Sequence, residues 1–190
     1  MKKIWQSALV VTLLGGSTLF ADTNIYVGVD YAKASNTNTY EGVRSVDDDN
    51  DFSDLSLKVG AGEDGGLKAQ LRFDIVSYDE GVFNANKNES LYEIGIDVLK
   101  EFEVNKSFFP FIKVGLGYGS MSVEGFSESS IGEVSFNAGV GLSYKALDHF
   151  YVMGGVDYVG RAWQDITVGT STVSTTSSAT KLYVGLNYAF

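Results

Sequence analysis

Residues 181–190 read KLYVGLNYAF. Leu182, Val184, Leu186, Tyr188 and Phe190 share one parity, and Lys181, Tyr183, Gly185, Asn187 and Ala189 share the other. Side chains of an extended chain alternate between faces, so the segment is a strand with one apolar face. Working outward, the same period of two recurs at residues 25–32, 55–62, 67–76, 92–98, 110–119 and 133–145. Residues 150–163 are less regular. There Val152, Val156 and Tyr158 are assigned outward, because Asp157 and Arg161 then fall on the opposite face. The total is eight strands, an even number.

The connections alternate in length. Residues 34–50, 79–89, 121–132 and 164–178 are long and polar, whereas 63–66, 100–107 and 146–149 are short. Long loops at one end and short turns at the other describe an up-and-down antiparallel barrel. Pro110, the sole proline, opens the fifth strand, where its missing donor does least harm.

The polar face decides which side faces water. It carries Asp30, Asp74, Glu93, Asp97, Glu133 and Asp157, together with Lys58, Lys68, Arg72, Lys113, Lys145, Arg161 and Lys181. A soluble barrel would turn these charges out and fill its core with Ile, Val and Leu. The other face of the eight runs carries no ionised residue. That suits a lipid-facing wall, where a Lys or Arg at the bilayer midplane costs roughly 2–4 kcal/mol. The expected fold is therefore all-β: an eight-stranded antiparallel transmembrane barrel with long external loops and short periplasmic turns. Its lumen charges, six acids against seven bases, are expected to form a salt-bridge network. Tyr31, Tyr78, Tyr92, Phe108, Phe109, Tyr118, Tyr144, Tyr158, Trp163, Tyr188 and Phe190 sit near strand ends, as interfacial girdles require. Gly115, Gly117 and Gly119 share the inner face and leave room for bulky lumen side chains.

Residues 1–21 have the three parts of a secretory signal: a basic start at Lys2 and Lys3, an apolar run over 8–14, and small residues before Ala21. Leu19 departs from the pattern, which usually has a small residue there. The leader's apolar run falls short of the roughly 20 residues that span a bilayer, and no later run approaches that length. Residues 22–190 then form one barrel domain. Of the 190 residues none is Cys, which excludes a disulfide scaffold, a thiolate metal site and a lipoprotein anchor. The net charge of −10 becomes −12 once Lys2 and Lys3 leave, so nucleic acid is no partner.

The ending at Val184, Leu186, Tyr188 and Phe190 resembles the C-terminal assembly signal of Gram-negative outer-membrane barrels. The stretches PFIKVGLGY (110–118) and FNAGVGLSY (136–144) resemble strands of the small OmpA/OmpX-type barrel family. The resemblance implies the cell outer membrane, insertion by the barrel assembly machinery, and contact with outer-membrane lipids and lipopolysaccharide. It is loose for function, since that family includes anchors, adhesins, evasion factors and a few enzymes. With no peptidoglycan-binding domain after Phe190, the anchoring role of the longer relatives is not expected.

Candidate sites outside the lumen carry less. Asp47, Asp49 and Asp51 have the odd spacing of a calcium loop, but Phe52 stands where the turn glycine belongs and Lys58 where the bidentate glutamate does. His149 is the sole histidine and lies in a short turn, so no triad is expected. Residues 178–181 fit S-x-x-K by letter, yet they lead into a strand and not a helix. Asn105-Lys-Ser107 is an N-x-S sequon in a polar turn. No cofactor, metal or catalytic residue is expected. The expected role is structural or surface-interacting and adhesion-like, with an extracellular partner met through the acidic first loop and the Ser/Thr-rich residues 170–180. A narrow porin-like channel is the alternative, and a lipid-modifying enzyme the remote one.

Overall fold

The computed structural model describes residues 23–42, 45–83, 89–124, 129–168 and 171–190. The leader, its cleavage point and Thr170 lie outside them. Ten strands follow in order: β1 (Asn24–Glu41), β2 (Ser45–Asp49), β3 (Phe52–Gly62), β4 (Leu67–Tyr78), β5 (Ser90–Glu101), β6 (Phe108–Ser122), β7 (Ser130–Leu147), β8 (Phe150–Trp163), β9 (Ile166–Val168) and β10 (Ser171–Ala189). Eight of them, β1, β3 to β8 and β10, pair antiparallel with their neighbours in turn. The ring closes where β1 meets β10, from Tyr26 opposite Ala189 to Glu41 opposite Ser174. Closure leaves no strand edge within the belt, so every backbone N–H and C=O there has a partner without water.

The outward face is the apolar one. Ile94, Leu116, Val140 and Leu182 are exposed, while Asp30, Lys58, Arg72 and Asp97 on the alternate parity are buried. Outward charge on the barrel strands appears only at the margins, as Lys33 and Glu41 at one end and Lys100 at the other. The turns at the narrow end use local chemistry. Gly65 takes φ +69° between β3 and β4, a conformation glycine adopts without penalty. Asn105 accepts hydrogen bonds from the Ser107 and Phe108 amides (2.9 and 3.1 Å), fixing the β5–β6 turn.

Three features differ from the sequence expectation. The first and last of the long polar segments are largely sheet: β1 runs on to Glu41, β2 folds back on it, and β10 begins at Ser171 with β9 paired to its start. Beyond the lipid belt the outward residues are Ser35, Thr37, Thr39, Thr176 and Ser178. The ladder continues there while hydropathy alternation stops. Secondly, Tyr78, Phe109 and Trp163 point into the barrel and are buried, so they belong to no girdle. The outward aromatics instead cluster as Phe108 with Tyr144, Phe150 with Tyr188 and Phe190, Phe73 with Tyr92, and Phe136 with Tyr158.

The third difference is inside. The interior is layered, not polar throughout. At the long-loop end an apolar cluster includes Phe52, Val76, Tyr78, Val82, Phe83, Leu91, Met121, Ile131 and Trp163. Phe83 reaches from the β4–β5 connection into it, edge-on to Trp163 at 5.1 Å and to Tyr40 at 5.9 Å. Charged residues fill the middle. Toward the opposite end come Ala32, Leu99, Phe111, Met153 and Tyr183, then Tyr26, Phe109, Tyr151 and Ala189.

Candidate functional site

The middle layer gathers the charges that parity assigns inward. Arg72 of β4 is its centre. Its guanidinium pairs with Asp74 on its own strand and with Glu93 (2.6 Å) and Asp97 (3.2 Å) on β5. Gly95 stands opposite Arg72 in the ladder, and a Cβ there would strike the guanidinium. Arg161 of β8 reaches the other oxygen of Glu93 at 3.4 Å and lies 5.0 Å over the Phe52 ring. Around this centre Lys58 pairs with Asp30 (2.7 Å) and Lys113 with Asp157 (2.7 Å). The Lys113 ammonium also sits 4.3 Å from the centre of the Tyr183 ring.

Neutral donors complete the carboxylates. Gln70 and Asn137 donate to Asp97 at 2.8 and 3.0 Å, Ser135 to Glu93 at 2.7 Å, and Ser56 to Asp74. Tyr26 donates to Gln70 at 3.0 Å, tying the lower aromatic layer to the ionic one. A buried ion stripped of such partners costs several kcal/mol. Glycine makes the arrangement fit. Gly185, Gly115 and Gly139 face Asp30, Asp97 and Asp157 across the ladder, and a Cβ at any of them would collide with the carboxylate.

Lys68, Lys145 and Lys181 occupy the periphery. Lys181 of β10 pairs with Asp54 (2.9 Å) toward the outer end. Lys68 bridges Glu101 (2.9 Å) and Asp64 (3.1 Å) at the turn end. Lys145 lies at that mouth, half-buried, 3.5 Å from Asp64, and not in the middle of the lumen. Asp64 belongs to the β3–β4 turn. Burial pushes its pKa up, but the Tyr151 hydroxyl and Lys68 outweigh that and hold it below the ordinary value of 3.8. Glu133 is the exception among the inward charges. It is fully buried, yet neither oxygen accepts a hydrogen bond and no base lies within 4 Å among the described residues.

Asp54, Glu101 and Asp64 are the residues that sequence reading missed. Asp54 belongs with the acidic first loop by position, but it shares parity with Ser56 and Lys58 and is buried. Glu101 shares parity with Glu93 and Asp97. Extending each strand by three residues would have found both. With them the near balance holds but changes sign: eight inward acids face seven bases, Lys145 included.

The remaining candidates sit apart from the lumen. Asp47 and Asp49 of β2 accept from Thr39 and Thr37 at 2.8 Å each. The His149 Nδ1 lies 2.9 Å from the Ala189 carbonyl, and its ring lies 5.8 Å from that of Tyr188. Val184, Leu186, Tyr188 and Phe190 all point outward, with Phe190 69 % exposed. The Phe190 amide donates to the Ile25 carbonyl at 2.9 Å, which binds the tail to β1.

Comparison with known proteins gives this geometry a family. The outer membrane protein beta-barrel domain matches residues 63–190. Neisserial surface protein A shares the fold at a TM-score of 0.57 and 19 % identity, over 87 % of this chain and 97 % of that one. Outer membrane protein AlkL, determined in lipid bilayers, aligns at a TM-score of 0.57 and 12 % identity, over 88 % of this chain and 90 % of that one. No curated protein sequence matches significantly. An eight-stranded ring with an apolar outer wall, ions within and this match along two-thirds of its length lead to one conclusion: the chain belongs to the outer membrane protein beta-barrel domain family, and its place is the outer membrane.

Proposed function

We propose that the protein is a closed, non-enzymatic barrel that acts through the surface it presents outside the cell, in a structural or adhesion-like role. The occupied lumen carries this reading. An apolar cap, an ion-pair layer and an aromatic base succeed one another along the axis, and the residual cavity in the ionic layer is about 10 Å³. That is room for about one water. An eight-stranded barrel is just wide enough for its own side chains.

In this reading the extracellular partner is met by Asp47, Asp48, Asp49 and Asp51 and by the hydroxyls of β10. Outer-membrane lipids and lipopolysaccharide pack on the apolar belt, and the assembly machinery reads Val184, Leu186, Tyr188 and Phe190. Conductance in planar bilayers tests the closed lumen. Pure protein is expected to give no porin-like steps, and Arg72→Ala is expected to open none, because the apolar cap stays in place. Unitary conductance on the scale of a general porin would establish the channel reading instead. Lipid A extracted after expression is expected to be unmodified.

A further inference from the structure

Residues 103–107 read EVNKS. Asn105 and Ser107 form an N-x-S acceptor sequence for N-linked sugar, with Lys106 and not proline between them. Glu103, two residues before the asparagine, gives it the extended acidic form that bacterial oligosaccharide transferases of the periplasm read. A second N-x-S occurs at Asn88-Glu-Ser90, but there Asn86 stands in the acidic position. Asn86 and Asn88 lie outside the described residues.

Asn105 lies in the turn between β5 and β6, beyond Lys100, the outward charge at that margin of the belt. Glu103, Asn105 and Lys106 are all exposed. A barrel that inserts from the periplasm leaves its short turns on that side, whereas its long connections must cross the bilayer. Each sugar hydroxyl is costly to strip of water, so a glycan on a long connection would obstruct insertion and one on a short turn would not. The turn also leaves the reacting atom free. Asn105 Oδ1 accepts from the Ser107 and Phe108 amides at 2.9 and 3.1 Å, and the Asn105 carbonyl accepts from Phe108 at 3.3 Å. Asn105 Nδ2 has no partner among the described residues, and the Glu103 carboxylate forms no ion pair among them. Substitution at Nδ2 therefore keeps every hydrogen bond that shapes the turn.

We propose that Asn105 is an N-glycosylation site, modified in the periplasm from a polyprenyl-diphosphate-linked oligosaccharide. Nδ2 bonds to the anomeric carbon of the first sugar and gives up one proton to solvent. The bond from that carbon to the diphosphate oxygen breaks, and the lipid diphosphate leaves with the electron pair. This goes beyond the surface role proposed above and does not depend on lumen closure. The test is tryptic-peptide mass spectrometry of the full protein purified from the outer membrane of its own cells, with variants expressed in the same cells. The peptide containing Asn105 should carry one oligosaccharide, and the peptide containing Asn88 none. Asn105→Asp, whose carboxylate can still accept both turn hydrogen bonds, and Ser107→Ala should each abolish the mass increment. Glu103→Gln should lower the modified fraction by about tenfold or more, as loss of a charged contact to the transferase predicts. Heat-modifiable gel mobility checks that each variant folds, and Ser107→Ala carries the comparison if Asn105→Asp does not. A bare Asn105 peptide in the wild type would overturn the site. Undiminished modification of Glu103→Gln would overturn the role given to the acid, and a glycan on Asn88 the argument from insertion.

Discussion

Lys113→Met isolates the energetics of the lumen at its simplest point. Asp157 has 0 % exposure, and among the described residues its one ion pair is with Lys113 at 2.7 Å and no other donor bonds its carboxylate. Methionine nearly matches the lysine stem in volume and keeps contact with the Tyr183 ring, so packing loss is minor. The remaining cost is a buried carboxylate with no counter-charge. Removing one partner of a buried pair typically costs about 3–5 kcal/mol. With a urea dependence of roughly 1–3 kcal/mol per molar, a loss of about 3 kcal/mol lowers the unfolding midpoint by roughly 1–3 M. The assay is urea unfolding in lipid vesicles, read by the shift between compact and unfolded bands on an unboiled gel. Adding Asp157→Asn should restore most of the midpoint, because the amide carries no charge to strand. If single and double variants unfold together, or if Lys113→Met unfolds with the wild type, the lumen is not held by paired charge.

Glu133→Gln should behave in the opposite way. Its carboxylate has no base and no donor among the described residues, so neutralising it should leave the same midpoint unchanged or raise it. The Asp64 carboxylate predicts an acid limb. A folded pKa below 3.8 means its stabilisation is complete above that value and is lost as pH falls through the lower folded value. Acid titration of the folded band should therefore show a step that Tyr151→Phe weakens, since that variant removes the hydroxyl bonded to Asp64. Phe190→Ser should reduce membrane insertion in cells yet refold in vitro into lipid vesicles, because the ring packs only on the exposed wall. Equal loss in both settings would mean that Phe190 holds the barrel together instead of addressing it.

Fold and location were legible because a lipid-facing strand writes its parity into hydropathy. Ile94 and Asp97 differ in face and in polarity alike, so the alternation from Tyr92 to Val98 could only be read one way. The signal fails where both faces have the same character. Thr37, Asn38 and Thr39 are outward, inward and outward, yet all three are small and polar, so β1 seemed to end nine residues early. Tyr78 and Trp163 misled for the reverse reason: an aromatic at a strand end suits an interface or a capped lumen, and only parity distinguishes them. Trp163 shares parity with Asp157 and Arg161, and its indole donates to Ser177 inside the barrel at 2.7 Å. The apolar cap had no local signal, because Val82 and Phe83 come from a connection and meet Ile131 and Trp163 only once the ring is closed.

The overlong β1–β10 pair sets a reach. Beyond Ala34, the last β1 residue paired to β3, the two strands continue together for seven more, to Glu41. At about 3.3 Å per residue that is roughly 23 Å of paired chain. Tilted by about 35–45°, it lifts its tip on the order of 17 Å above the last level shared with β3. The barrel thus ends in a one-sided crest, stiffened by β2 against one flank of β1 and by β9 on β10. Anything arriving from outside meets a fixed β surface held clear of the bilayer. Little chain entropy remains to be lost on contact, so selectivity would reside in the spacing of Thr37, Thr39, Asp47 and Asp49 along that crest.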